Sequence, residues 1–298
     1  DKVYFNTNDL TDCGDIGATF STTAGNTVTF TLCDIDGNDY SDYTSSATEP
    51  ESPVDGDLWL DTENNSLKQY SEYSAAWVGI TTTYVKIAYT GIGADFSQYD
   101  GVKISGVTDE QFNTTMILWA VDDDYIVVSA LIDDTTTQTA AITVSREIPD
   151  MEYFCEGENR VWGCNSTNNE IYACKLGDFK NWNCFMGLST DSYAVSVGSD
   201  GDFTGAIRYQ SSILFFKEAC VHKIYNTNPP FQVSTSAMKG VQNGSWRSLC
   251  IVDDVLFFLS PTGVCTYEGA ITSPINSMST STECYNSGVG GSFNNKYY

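Results

Sequence analysis

SILFFKEACVHKIYN, Ser212–Asn226, and VLFFLSPTGVCTYEG, Val255–Gly269, decide how this chain is read. Each is a pair of apolar strands joined by a tight turn of small or polar residues. Aligned without gaps, Leu214 falls on Leu256 and Tyr225 on Tyr267, an offset of 42 residues. The leading strands then match too, AIRYQSS from Ala206 on SLCIVDD from Ser248. A third copy lies upstream in YFCEGENRVWGCNSTNNEIYACK, Tyr153–Lys175, where Val161 stands eleven residues before Tyr172 as Leu214 does before Tyr225. The starts of the three copies are 53 and then 42 residues apart. Three antiparallel strands and a longer return, repeated every ~40–50 residues, are the mark of a β-propeller or a related blade array. A single blade cannot bury both of its faces, so each copy serves to cover its neighbour. The fold class expected is all-β, with propeller-like blade repeats and small inserted β domains; a β-sandwich with similar hairpins is the rival. Adding 42 to Leu256 reaches Tyr298, which sets the expectation that these residues are a piece of a longer polypeptide with further blades.

The composition fits that diet. Of 298 residues 41% are hydrophobic and 13% aromatic, enough to exclude a disordered chain, while only 18% are charged. Thr, Ser, Asn, Gly and Tyr, the residues of short strands and tight turns, are abundant. No window approaches the ~18 consecutive apolar residues of a membrane helix. The net charge of −25 repels phosphate, which argues against ordinary nucleic-acid binding. It suits solubility, or the wall of a channel through which DNA slides without sticking. Ten cysteines include no C-x-x-C pair, so zinc is not expected. Cys155, Cys164, Cys174, Cys184, Cys220, Cys250 and Cys265 lie in apolar or strand-like runs, and read as small core filler in a chain folded in a reducing cytoplasm.

Ahead of the repeats, residues 1–43 read as an N-terminal β segment belonging to the propeller, with a hairpin turning at Asp36-Gly37. The acids Asp34, Asp36, Asp39 and Asp42 beside Asn38 lack the order of an EF-hand loop, and no metal is expected. Residues 44–83 form an aromatic hairpin module after a polar, Pro-containing stretch. In it Trp59, Tyr70 and Trp77 are candidate contacts for a host-surface glycan, or else the core of a minimal hairpin. Residues 84–148 alternate as a small inserted β domain, with ILWAV and YIVVSALI meeting at Asp122-Asp123-Asp124 and one helical turn at Asp109. Residues 149–298 hold the blades, truncated at the C-terminal end.

Chemistry is hard to find. His222 is the only histidine, inside the strand VHKIY, with no G-x-S-x-G elbow to accompany it. GSDGDFTG at Gly198 lacks the Lys and helix of a phosphate loop. No catalytic residue, cofactor or metal is assigned, and an enzyme is not expected.

The run NRVWGCNSTNNEIYACKLGDFKNW, residues 159–182, and LFFKEACVHKIYN, residues 214–226, resemble virion structural proteins of tailed bacteriophages. GDLWLDTENNSLKQYS, VKISGV and DDYIVVSALI resemble modules of the same proteins, so the likeness covers most of Lys86–Ser273. It matches Asn159, Trp162, Gly177, Asp178, Trp182 and Phe215 to Lys217, positions of packing and turning rather than chemistry. Cys164, Cys174 and Cys184 depart from the small residues of the pattern. The resemblance implies a structural tail subunit with propeller blades, nozzle-like or at the tube end, forming a homo-oligomeric ring around the DNA exit channel. Its partners would be itself, other tail proteins and DNA in transit, and its location the virion tail, assembled in the host cytoplasm. Adhesion to a host glycan is the alternative.

Overall fold

The structure is a computed structural model of the chain, and it describes residues 16–40, 42–225, 229–269, 274–277 and 287–298. Short β-strands dominate it, and among the described residues the helical elements are two single 3-10 turns, Glu110–Phe112 and Trp246–Ser248. The first is the helical turn expected at Asp109, whose side chain caps it by accepting from Gln111 N. No described helix is long and apolar enough to cross a membrane. The chain divides into two compact units, Asp1–Ile148 and Pro149–Tyr298.

The first unit contains three small sheets. One has the order Ala18–Ser21, Thr143–Arg146, Gly101–Ser105, Thr115–Ile117. A second runs Ala120–Asp122, Tyr125–Ser129, Tyr84–Ala88, Val28–Cys33, Thr136–Gln138. The third is the aromatic module, Tyr43–Ser46, Leu58–Asp61, Ser66–Ser71 and Ala76–Gly79, whose first pair is parallel. Alternation explains the packing: Val28, Phe30 and Leu32, or Val85 and Ile87, point every second side chain into one core.

Three expectations are corrected here. Residues 18–33 do not pair with the strands after Pro149; Ala18–Ser21 lies against Thr143–Arg146 and Val28–Cys33 against Tyr84–Ala88, so these strands and the 84–148 region make common sheets. Residues 1–15 lie outside the described residues. The turn at Asp34–Asn38 does form, but its return strand is a single bridge from Cys33 to Asp39. ILWAV likewise is not one strand. It breaks at Leu118, leaving Thr115–Ile117 in one sheet and Ala120–Asp122 in the next, where Asp122 faces Tyr125 across a two-residue turn.

The second unit contains three consecutive four-stranded antiparallel meanders, each with its strands side by side in chain order, and a two-stranded hairpin, Ser292–Phe293 with Lys296–Tyr297. The first is Tyr153–Gly157, Arg160–Asn165, Glu170–Ala173 and Tyr193–Ser196. Next comes Phe203–Tyr209, Ser212–Lys217, Cys220–Tyr225 and Gln232–Ala237. The last is Cys250–Val252, Val255–Ser260, Gly263–Tyr267 and Pro274–Ser277. A core joining the first two gathers Trp162, Cys164, Ile171, Ile213, Phe215 and Ile224. Another joins the second to the third through Leu214, Phe216, Val221, Leu256, Phe258 and Tyr267. The strand Ser212–Lys217 is therefore buried on both faces, which is why it reads as an unbroken apolar run. Tight turns recur at matching places. Glu158-Asn159 and Asp253-Asp254 both take positive φ at two successive residues, the conformation that Asn and Asp tolerate best.

The ungapped alignment is one residue out. The turn Glu218-Ala219 of the second meander corresponds to Pro261-Thr262 of the third, an offset of 43. Leu214 and Leu256 are not equivalents; they share one core from its two sides. Tyr225 is 36% exposed whereas Tyr267 is 4% exposed, and buried Ile224 takes the place of Tyr267. A run that is apolar on both faces carries no two-residue period, so sequence alone leaves its parity open.

Candidate functional site: an apolar loop on the first meander

Between the third and fourth strands of the first meander, Ala173 and Tyr193, the chain makes a long excursion. Its polar framework is buried and, but for one oxygen of Asp191, paired. Arg160, 3% exposed, sends Nη1 to the carbonyls of Cys174 (2.7 Å) and Asp191, and Nη2 to that of Ser189 (3.0 Å). Asp191 answers from the other side, its Oδ2 accepting from Met186 N, Gly187 N and Leu188 N at 2.5, 2.7 and 3.0 Å. Its Oδ1 is buried without a hydrogen-bond partner. Ser192 Oγ donates to Asn181 O and accepts from Cys184 N, while Trp182 Nε1 donates to Phe179 O. Gly177, at φ +74°, turns its N–H onto Asn159 O, so two positions matched by the resemblance hold one another.

On this frame Asn181, Trp182 and Cys184 face inward, and Leu176 (42% exposed), Phe179 (43%), Phe185 (54%) and Leu188 (54%) face solvent. Loops ordinarily present polar tips, and an apolar surface displayed on a fixed backbone marks a place of contact. The loop from 175 to 188 also carries Lys175 and Lys180 against Asp178, a basic balance on a chain of −25. The sequence did hold a signal for it, the first interval of 53 residues against 42 for the second.

His222 lies elsewhere, in the second meander, and is 0% exposed. Its Nε2 is 2.7 Å from Ser199 Oγ and 3.7 Å from Cys220 Sγ, and Nδ1 is 2.9 Å from Thr235 Oγ1. A serine beside a histidine suggests nucleophilic catalysis, but the surroundings oppose it. Burial first, and then the charge of Lys217, push the imidazole down to about 4, too weak a base for work near neutrality. A hydroxyl, not a carboxylate, holds the second ring nitrogen, so the ring lacks the paired negative charge that stabilises an imidazolium in a triad. Lys217, 1% exposed, is itself tied to Asn169 Oδ1 (2.6 Å) and Ser199 O (2.8 Å) beneath the Phe203 ring. These are polar struts inside a core, and their partners could not be chosen from sequence.

Trp59, Tyr70 and Trp77 do come together: both Trp59 and Tyr70 meet the Trp77 ring edge-on at 5.5 Å. Trp59 is only 5% exposed, with Nε1 donating to Ser46 O and Lys68 Nζ lying 4.4 Å over its ring. Lys68 is held there by Asp61 at 2.7 Å. A sugar-stacking platform needs an open ring face, and Trp59 presents none. Asp34 is occupied as a turn former, with Oδ1 accepting from Asp36 N and Asn38 N, and Asp39 pairs with Lys86 at 2.6 Å. The thiols Cys33, Cys155 and Cys174 are pushed up to about 12, 12 and 11, burial being the main cause, so these cysteines stay as packed thiols. Neither protein-family models nor curated protein sequences give a match to this chain.

Proposed function

We propose that this chain is a structural subunit of a bacteriophage tail, of nozzle or tube-end type, whose meanders are blades of a β-propeller and which assembles with copies of itself into a ring around the DNA exit channel. The observation that carries this reading is the succession of three meanders with identical strand order, each sharing a core with the next. Repeating blades of this kind provide a stiff scaffold and need neighbours to cover their outer faces. The resemblance between residues 159–182 and tail proteins supports the tail assignment, because Asn159, Gly177 and Trp182 build the first meander and its apolar loop. The net charge of −25 supports a lumen that repels DNA rather than grips it.

The mechanism is geometric: a fixed ring, and an acidic wall past which DNA slides. Adhesion to a glycan through Trp59, Tyr70 and Trp77 has less in its favour, since the first of these rings is enclosed. Electron microscopy of the full-length protein, or of the particle that carries it, with symmetry analysis, tests the reading. A closed ring on the tail axis is expected; flexible single copies projecting from the tail would overturn it.

A further inference from the structure

A closed ring needs two different patches on each subunit, because a patch that meets its own copy ends at a dimer. The molecule offers a matched pair. One is the apolar loop of the second unit, with Phe179 and Phe185 exposed beside Lys180. The other is a cavity of about 570 Å³ in the first unit, floored by Phe30, Phe112 and Ile132 and rimmed by Asp109, Asp133 and Asp134. Its size is that of an ordinary binding cleft, ~300–1,000 Å³.

Resting on the self-assembling reading above, we propose that the loop of one copy docks in the acidic-rimmed cavity of a second copy, the aromatic side chains entering over the apolar floor and Lys180 facing Asp133 and Asp134. Three observations select a copy of this chain as the occupant. The loop is already held in shape by Arg160 and Asp191, so docking it costs little ordering entropy. Its local basic balance lets it approach a chain that elsewhere is strongly acidic. Knob and cavity are different patches, one in each unit, so a single contact leaves one of each unfilled and available to a further copy.

Sedimentation velocity of the full chain over a concentration series tests this, with Phe185→Ser, Lys180→Glu, the pair Asp133→Lys with Asp134→Lys, and the combination of both charge reversals. All the substituted residues are exposed, so urea unfolding should confirm an unchanged fold. The wild type is expected to self-associate. Phe185→Ser and each single-sided reversal should weaken association by about tenfold or more, and the combined reversal should restore it. Association indifferent to every variant would overturn the docking while leaving the assembly reading intact. Loss with Phe185→Ser but no rescue by the combined reversal would also overturn it, by removing the cavity as receptor. A wild type that stays a single copy at the highest concentration would overturn both.

Discussion

The first and second meanders of the second unit share a plan and differ in one connection. Between their third and fourth strands, 19 residues separate Ala173 from Tyr193, and six separate Tyr225 from Gln232. The third meander agrees with the second, with six between Tyr267 and Pro274. The repeated part holds the shared cores, and the excess exposes Leu176, Phe179, Phe185 and Leu188 while burying Trp182 and Cys184. Repetition here serves stability, and under the proposed docking the departure from it serves contact. That division can be attacked from either side by mutation.

The largest effect belongs to the doubly buried strand of the second meander. Phe216 is 0% exposed and its ring lies 5.3 Å from that of Phe258 in the next meander. Phe216→Ala should destabilise the protein by about 3–5 kcal/mol in urea unfolding, from lost transfer energy and a cavity that strands cannot close. A cost near that of a surface change would break the claim that neighbouring meanders are held by shared cores.

The pH dependence of stability comes next. His222 sits at about 4 in the folded protein against 6.5 when free. Above pH 6.5 both states are neutral and this group adds no slope. Between 6.5 and about 4 the unfolded chain binds the proton and the folded one resists it, so stability falls as pH falls, by roughly 3 kcal/mol in all. His222→Gln should flatten that window. Asp61, held at about 2 by hydrogen bonds from Lys68 and Asn64, titrates lower and leaves the window clear.

Arg160 separates the frame of the loop from its crown. Arg160→Ala strips three carbonyls of their donors and should cost about 2–3 kcal/mol. It should also open residues 176–190 to protease ahead of global unfolding. Cleavage no faster than in the wild type would mean that Asp191 alone fixes the loop.

How far the sequence foretells this molecule depends on the range of the interaction. Local signals were legible: the hairpins at Ser212 and Val255, the turn at Asp122–Tyr125 and the 3-10 turn after Asp109 all form. What escaped was long-range or without period. Val28–Cys33 shows its alternation but not that its partner is Tyr84–Ala88, since pairing leaves no local trace. Ile213 to Phe216 are apolar on both faces, so nothing in the letters fixes which of them meets which core. At the candidate site, Gly177 and Trp182 were visible as fold-determining positions, and the loop itself as an interval of 53. Leu176, Phe179, Phe185 and Leu188 were not, because an apolar residue in a motif is read by default as core.

The smallest expected effect therefore sharpens the comparison most. Phe185 and Phe216 are the same residue type in the same unit, 54% and 0% exposed. Phe185→Ser should change the stability of the isolated chain by no more than about 0.5 kcal/mol, as exposed substitutions ordinarily do. A side chain kept for folding would cost far more when removed; one kept for contact leaves folding alone and shows itself only when a second surface is present. If urea unfolding of Phe185→Ser instead showed a loss near that of Phe216→Ala, the loop would be part of the core after all. Its apolar crown would then need no partner, and the two meanders would differ in length but not in purpose.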